Sequence, residues 1–174
     1  MPLAQFLGPM QAMAPAAVHA TAGRPLLGAA PPPPAQMLPG FSVQHQQQAN
    51  WCWAALSASV AAFYGATNWQ QCTVAAAELA PLDCCGSDGP LGCNRPWYLS
   101  SALTRVGHYN GLTTPNASFT MVQGEIGAGH PLGCRIAWNG GGAHFMAIGG
   151  WLTAADGTQY VDIYDPIYGF SQLT

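Results

Sequence analysis

The stretch Gln46-Gln47-Gln48-Ala49-Asn50-Trp51-Cys52-Trp53-Ala54-Ala55 runs directly into an apolar periodic segment, Leu56 to Tyr64, which is followed by Gly65. The polar residues predict a loop, the apolar run predicts a buried helix, and Gly65 suits the position just after a helix end. Cys52 is therefore expected in the first turn of this helix. There the free backbone N–H groups and the helix dipole favour a thiolate over a thiol.

Two residues far along the chain could work with such a thiolate. His144 lies just after three glycines, and Asp165 ends a predicted strand. A histidine can hold the proton displaced from the thiol, and a carboxylate on its other ring nitrogen fixes the tautomer and orientation. Because side chains alternate along a strand, Asp165 shares the inward face of Val161 and Ile163, where a carboxylate needs a partner such as His144. Asp162, the alternative acid, is then predicted to face solvent.

A glutamine six residues before Cys52 completes this set of candidates. The Gln46 amide and the Cys52 backbone N–H could both donate to the oxyanion that forms during acyl transfer. Gln44, Gln47 and Gln48 compete for this role, and only the spacing to Cys52 selects Gln46. The pattern predicts a thiol site for acyl transfer.

The Asn-Trp-Cys-Trp-Ala-Ala core, the Gly-Gly-Ala-His144 sequence and the Tyr-Asp165-Pro sequence together resemble papain-like cysteine peptidases. The resemblance is to the short bacterial AvrRpt2-type effector proteases and, more distantly, to the staphopains, and it covers Phe41 to the C-terminus. It implies a triad of Cys52, His144 and Asp165 with Gln46 in the oxyanion hole. The Asn-Trp pair before the nucleophile departs from the plant papain signature, so papain's own specificity is not transferred.

The same resemblance implies hydrolysis of peptide bonds in a protein or peptide substrate, by a secreted or translocated bacterial effector or toxin. A cognate inhibitor or immunity protein would be a second partner. A transferase or deamidase could use the same triad, and a catalytically idle peptide-binding module could keep the groove alone. Trp51, Trp53 and Gly142 are the candidate substrate-binding residues, with one of the two tryptophans expected in the core. The loops Pro81 to Asn94 and Thr113 to Ser118 are expected to form the pocket walls.

The composition constrains the class of protein. At 174 residues and 49% hydrophobic content, the chain supports one domain with a substantial core. Only 6% of the residues are charged, lysine is absent and the formal charge is −3, which argues against nucleic acid as a partner. No apolar run approaches the roughly 18 residues that a membrane-spanning helix needs. No cofactor and no metal are predicted.

The first 40 residues differ from the rest, being rich in Ala, Pro, Gly and Met and including the run Pro31 to Pro34. We predict a flexible leader or linker at 1–40 and the papain-like domain at 41–174. A propeptide and a signal peptide cleaved near Val18-His19-Ala20 are the alternatives. The signal peptide is disfavoured because Met1 to Met13 contains no Lys or Arg.

The periodicity after residue 41 predicts helices first and an antiparallel sheet later, an α+β pattern. The resemblance implies a two-lobed arrangement, with Cys52 on the helical lobe and His144 and Asp165 on the sheet. The predicted elements after the Cys52 helix are helices at Asn68 to Leu79, Pro96 to Val106 and Phe119 to Ile126, and strands at Leu132 to Trp138, His144 to Leu152 and Gln159 to Asp165.

Four of the six cysteines are candidates for two disulfides, namely Cys72, Cys84, Cys85 and Cys93. We expect Cys85 to pair with Cys93 and Cys72 with Cys84, which leaves Cys52 free and Cys134 buried in a strand. Two disulfides would indicate an oxidising compartment. One alternative is a zinc site built from Cys84, Cys85 and Cys93, with Cys72 or His108 as a further ligand, although the spacing lacks the Cys-x-x-Cys pairs of structural zinc sites. The other alternative is free thiols in a loop.

Overall fold

The computed structural model describes residues 34–86, 92–111 and 116–174, and the backbone of residues 4–9. These residues form four helices that precede three long strands of an antiparallel sheet, so the predicted α+β class is confirmed. The helices are α1 (Cys52–Phe63), α2 (Gln71–Glu78), α3 (Leu99–Arg105) and α4 (Phe119–Gly127), and the strands are β1 (Ala4–Pro9), β2 (Ala35–Met37), β3 (Leu132–Ala137), β4 (Ala143–Thr153), β5 (Gln159–Asp165) and β6 (Gly169–Leu173).

The sheet runs in the order β1-β3-β4-β5-β6, and β2 pairs with the second half of β4. β4 is therefore its centre, with β3 along its first half and β5 on its other side. Ile148 lies opposite Ile163 and Gly150 opposite Asp162, which leaves Gly149 as an extra residue. This bulge lies within the longest strand and bends it locally.

Helix α1 is the central helix of the protein. Every residue from Cys52 to Ala61 is buried, because the helix carries small and apolar residues on all sides and contacts α2, α3 and β4. Its two buried serines remain satisfied, since Ser57 Oγ donates to Trp53 O at 2.8 Å and Ser59 Oγ to Ala55 O at 2.6 Å. The helix ends where predicted, with Gly65 at φ +90°.

Two of the other helices begin later than predicted. Helix α2 starts at Gln71 because Gln70, and not Asn68, lies at its N-terminus, where the Gln70 N–H donates to Thr73 Oγ1 at 2.8 Å. Helix α3 starts at Leu99, three residues after the predicted Pro96. Tyr98, just before the helix, is extended, and Trp97 Nε1 donates to Glu78 Oε2 at 2.8 Å.

The sheet contains strands that the sequence did not predict. Strands β1 and β2 fall within the 1–40 segment, where they pair with β3 and β4. Residues 1–3 and 10–33 of the predicted leader or linker lie outside the described residues, and the role of the segment stays a prediction. Strand β6 was also missed, because its residues are exposed and show no inward face.

Strand β6 overturns the prediction that Asp162 faces solvent. The Asp162 side chain is buried, and its Oδ1 accepts a hydrogen bond from Gln172 Nε2 of β6 at 2.8 Å. Gly150 lies directly opposite on β4 and leaves room for the carboxylate, since a side chain there would collide with it.

The four predicted cysteines form two disulfides, but with exchanged partners. Cys72 bonds to Cys85, and Cys84 bonds to Cys93. The expected pairs, Cys72 with Cys84 and Cys85 with Cys93, are therefore wrong, because Cys85 and not Cys84 faces α2. Cys52 and Cys134 are free and buried, as expected.

Among the described residues, no helix is long and apolar enough to cross a membrane.

Candidate active site

Cys52, His144 and Asp165 come together from three different elements. Cys52 is the first residue of α1, His144 the second of β4 and Asp165 the last of β5. His144 Nε2 lies 2.8 Å from Asp165 Oδ1, and both side chains are buried. Cys52 also interacts with the His144 ring and is one of the groups that raise its pKa. Because Nε2 is engaged by Asp165, the nitrogen that faces Cys52 is Nδ1.

The surroundings of His144 favour its protonated form. Burial lowers its pKa, but the hydrogen bonds and electrostatic interactions with Asp165 and Cys52 outweigh burial, and they raise the pKa from 6.5 to about 9. At neutral pH the ring is therefore an imidazolium, with one N–H toward Asp165 and the other toward Cys52. This arrangement suits a thiolate–imidazolium pair.

Asp165 is held in its ionised form. Burial raises the pKa of its carboxyl group, but the hydrogen bond from His144 and the backbone N–H groups of Ile167 and Tyr168 lower it further than burial raises it. Both N–H groups donate to Oδ1, at 2.6 Å and 3.1 Å. The turn after β5 therefore fixes the same oxygen that accepts from His144.

The turn between β3 and β4 places His144 at the cleft. Gly140, Gly141 and Gly142 all have positive φ, a conformation that L side chains rarely adopt. Trp138 precedes this turn and stacks on the His144 ring, with the ring centroids 6.4 Å apart and the planes at 25°. The indole thus covers one face of the imidazole.

Gln46 does not line the cleft. Its side chain is buried, and Nε2 donates to Gln48 O and to Ala49 O, both at 2.8 Å. Its backbone N–H donates to Pro166 O at 2.9 Å, which ties the loop before Cys52 to the residue after Asp165. The Gln46 amide therefore stabilises the loop that precedes Cys52 in this structure. A role of Gln46 in an oxyanion hole stays a prediction.

Of the two tryptophans beside Cys52, Trp51 lies in the core and Trp53 also reaches the cleft wall. Trp51 Nε1 donates to Cys93 O at 2.8 Å, and Trp53 Nε1 donates to Arg95 O at 3.0 Å. Both tryptophans are buried, and whether either contacts substrate stays a prediction.

The cleft at Cys52 has a volume of about 510 Å³. Its walls are largely aromatic or apolar, and Arg135 contributes a permanent positive charge. The described residues of the predicted loop Pro81 to Asn94 do not line the cleft, and residues 87–91 of this loop and 112–115 of the other predicted loop lie outside the described residues. The lining residues are Ala49, Asn50, Cys52, Trp53, Pro96, Trp97, Tyr98, Arg135, Trp138, Gly142, Ala143, His144, Phe145 and Ile167.

No group of side chains in the described part of the chain could hold a metal ion. The zinc alternative fails for a chemical reason as well. Four of its cysteine sulfurs are bonded in disulfides, and a disulfide sulfur is not a thiolate ligand.

Several residues of the cleft were not found from the sequence. Trp97 and Tyr98 form a wall that we had assigned to a helix, and Trp138 covers His144. Trp138 stands at the end of a strand just before the glycine turn, and a residue there lies close to a histidine just after the turn, so the sequence contained a sign of its position. Trp97 and Tyr98 gave no such indication, because their position depends on contacts with α2.

The family model for the papain-like cysteine protease AvrRpt2 matches residues 36–172, a range that includes Cys52, His144 and Asp165. Comparisons with curated proteins and with solved structures gave no match. The mixture of helices and antiparallel sheet agrees with a papain-like α+β fold, and a peptidase of this kind acts on a protein substrate. The chain therefore belongs to the AvrRpt2 family of papain-like cysteine proteases.

Proposed function

We propose that the protein hydrolyses peptide bonds with Cys52 as nucleophile, His144 as general acid and base, and Asp165 as the residue that orients His144. The observation that carries this proposal is the buried His144–Asp165 hydrogen bond of 2.8 Å, on a ring whose other nitrogen faces Cys52 at the cleft. Packing alone does not require a buried histidine, carboxylate and thiol at one cleft, since each would need a partner to offset its desolvation.

In the proposed reaction, the Cys52 thiolate attacks the carbonyl carbon of the scissile peptide bond. The tetrahedral intermediate collapses to a thioester as His144 donates its proton to the leaving amine. His144 then accepts a proton from water, which attacks the thioester and releases the acid product and the thiol. The raised pKa of His144 keeps the proton available for the first step.

The oxyanion is proposed to be held by the backbone N–H of Cys52 and by the Gln46 amide. The Cys52 N–H lies in the first turn of α1, where helical N–H groups have no carbonyl partner within the helix. Gln46 would have to exchange one of its hydrogen bonds to Gln48 O or Ala49 O for the substrate oxygen. Its contribution therefore begins only when substrate is bound.

The cleft is proposed to lie between two lobes, one formed by α1–α3 with Cys52 and the other by the sheet with His144 and Asp165. An extended peptide would lie between Trp53 on one side and Gly142 on the other, both of which line the cleft. Trp51 would support this site from the core and would not touch substrate, in contrast to its expected role.

Secretion or translocation from a bacterial cell, and action as an effector or toxin, are further parts of this proposal. Two disulfides among four cysteines support an oxidising location for the folded protein. A cognate inhibitor or immunity protein that covers the cleft would be a natural partner for such an enzyme.

The test begins with brief iodoacetamide treatment of the unreduced protein near pH 5.5, followed by peptide mapping, in the wild type and in His144→Ala. We expect rapid alkylation of Cys52 in the wild type and slow alkylation in the variant, because the imidazolium stabilises the thiolate. Equal, slow alkylation of both proteins would favour an idle binding module. Intact-mass analysis of a treated protein target then separates cleavage into two fragments from deamidation, which adds about one dalton to an uncleaved chain.

A further inference from the structure

Three consecutive residues, Cys93, Asn94 and Arg95, each accept a hydrogen bond from a residue close to Cys52 in the chain. Cys93 O accepts from Trp51 Nε1 at 2.8 Å, and Arg95 O accepts from Trp53 Nε1 at 3.0 Å. Between them, Asn94 binds Asn50 twice. Asn94 Oδ1 accepts from the Asn50 N–H at 2.9 Å, and Asn94 O accepts from Asn50 Nδ2 at 3.2 Å.

We name residues 93–98 the strap. Its second half, Pro96, Trp97 and Tyr98, lines the cleft, so the strap both holds the nucleophile loop and forms a wall beside it. The loop before Cys52 has other long-range hydrogen bonds, from Gln46 N to Pro166 O at 2.9 Å and from Gln47 N to Gln71 Oε1 at 2.8 Å, but these lie further from Cys52 in the chain. The residues beside Cys52, namely Asn50, Trp51 and Trp53, bond to the strap. The position of Cys52 is therefore coupled to the position of the strap.

The strap is itself anchored at two places. At its start, Cys93 is bonded to Cys84, and the adjacent Cys85 is bonded to Cys72 on α2. Further along, Trp97 Nε1 donates to Glu78 Oε2 at 2.8 Å, and Arg105 Nε donates to the other oxygen of the Glu78 carboxylate at 2.9 Å. Helix α2 thus carries both anchors, one a disulfide link and the other a hydrogen bond from Trp97 to the Glu78 carboxylate.

We propose that the strap is a positioning element for Cys52, that Asn94 is its positioning residue, and that the two disulfides make proteolysis depend on their oxidation. This inference rests on the proposed function of Cys52. Proteolysis then requires a reduced Cys52 and two intact disulfides, which join Cys72 to Cys85 and Cys84 to Cys93.

Reduction releases the strap by ordinary thiol–disulfide chemistry. A phosphine reductant gives two electrons to each disulfide and becomes a phosphine oxide with an oxygen from water, whose two protons are taken up as the two thiols form. The sulfur–sulfur bond between Cys84 and Cys93 breaks, and Cys93 loses its covalent tie to the segment that is joined to α2. Cys52 is not oxidised or reduced in this step.

The first experiment compares Asn94→Ala with Asn94→Asp. Alanine removes the acceptor for the Asn50 N–H, whereas aspartate keeps an oxygen at that position. We expect Asn94→Ala to slow Cys52 alkylation at pH 5.5 and hydrolysis of labelled casein by about ten-fold, because small misplacements of a reacting group are costly. Asn94→Asp should restore most of both rates. Equal rates in all three proteins, with unchanged pH profiles of alkylation, would overturn the positioning role.

The second experiment treats the wild type with tris(2-carboxyethyl)phosphine, removes the reductant and measures Cys52 alkylation by peptide mapping. We expect a decrease of about ten-fold, and the same decrease without reductant in the double variant Cys84→Ser and Cys93→Ser. The control is Cys134→Ala, which keeps both disulfides and should retain the wild-type response. Unchanged alkylation of Cys52 in the reduced, folded protein would overturn the redox dependence.

The two proposals fail in different ways. If the proposed function is wrong, the oxidised wild type alkylates no faster than His144→Ala. If only the strap inference is wrong, the oxidised wild type reacts rapidly and the strap variants react equally rapidly. Circular dichroism at the assay temperature shows whether each variant and the reduced protein are folded. If the reduced protein is unfolded, the comparison of Asn94→Ala with Asn94→Asp decides whether the strap positions Cys52.

Discussion

The two sides of the cleft hold their reactive groups in different ways. His144 and Asp165 lie on neighbouring strands β4 and β5, so the hydrogen-bonded ladder of the sheet sets their separation. Cys52 lies at a helix start, after a loop whose position depends on a disulfide-anchored strap. The alternation of side chains along a strand can be predicted from the local sequence. The strap, in contrast, contacts residues that are more than 40 positions away in the chain. The cleft thus has one side, with His144 and Asp165, that is held by the sheet, and another side, with Cys52, that is held by the strap and its disulfides.

The largest effect should come from the sheet side. We expect His144→Ala to lower kcat/KM on a cleaved protein by about 10³-fold or more, because it removes the proton donor and acceptor and the partner of the thiolate. Progress curves on labelled casein measure this loss. Trp69→Phe, a substitution outside the cleft, serves as the matched control, and a His144→Ala variant with nearly full activity would contradict the proposed triad.

A smaller loss is expected for Asp165→Asn, because the amide oxygen can still accept from the His144 ring but carries no charge. We expect kcat/KM to fall by about ten-fold. The alkaline inflection of wild-type kcat/KM should lie near pH 9, where His144 loses its proton. In Asp165→Asn this inflection should move to lower pH, since a cause of the raised pKa is removed.

The same pair should make stability depend on pH. The pKa of His144 is raised from 6.5 to about 9 in the folded protein, so its contribution is complete below pH 6.5 and is lost as the pH rises through about 9. The lowered pKa of Asp165 gives a contribution that is lost as the pH falls through its folded value. Urea unfolding should therefore show wild-type stability falling between pH 6.5 and 9, and Asp165→Asn should flatten this decline. A decline of the same size in both proteins would argue against the pair as its source.

Gly150, the residue after the bulge in β4, tests how closely strand β4 packs against Asp162 on β5. In Gly150→Ala the new methyl group would meet the buried Asp162 carboxylate and, at 2.9 Å, the backbone oxygen of Gln36. We expect the free energy of unfolding to fall by about 2 kcal/mol. Gly124→Ala is the control, because Gly124 is helical with open space around it and should gain about 0.5–1 kcal/mol. Equal changes in urea midpoint for the two variants would show that β4 tolerates a side chain opposite Asp162.

The smallest effect is expected for Cys134→Ala. Cys134 is buried opposite Met146, and burial, together with the charge of Asp165, raises the pKa of its thiol to about 12, so it stays protonated. Loss of the sulfur should lower the free energy of unfolding by about 1 kcal/mol. Rates of Cys52 alkylation should stay within about two-fold of wild type. A large loss of alkylation would indicate that the sheet interior also positions the nucleophile.

The parts that the sequence predicted are those governed by local pattern. Strand β5 has the predicted bounds, because its alternation and the turn before it are both encoded nearby. The same alternation places Asp165 beside His144. Helix α1 was predicted from its apolar run and from Gly65, and its first residue is Cys52 as expected.

The parts that the sequence did not predict depend on distant partners. Cys84 and Cys85 are adjacent, so spacing alone cannot decide which of them faces α2. Asp162 is buried only because Gly150 and β6 make room for it and bind it. Asn94 carries no local sign of its role, since its partner is Asn50. Each of these features depends on a contact between two segments that are distant in the sequence. The pattern within one segment does not reveal which other segment it contacts.

The stacking of Trp138 on His144 gives the active site an optical reporter of its own. The indole is half-exposed and lies with its face toward a ring that is cationic below about pH 9. An imidazolium quenches indole emission more strongly than neutral imidazole does, so the fluorescence of Trp138 should brighten as His144 loses its proton. Occupancy of the cleft would displace water from the same indole and shift its emission to shorter wavelength. Because the chain contains six tryptophans, the difference in emission between the wild type and Trp138→Phe isolates this signal. That difference would follow the protonation state of His144 and the arrival of a ligand without an attached label.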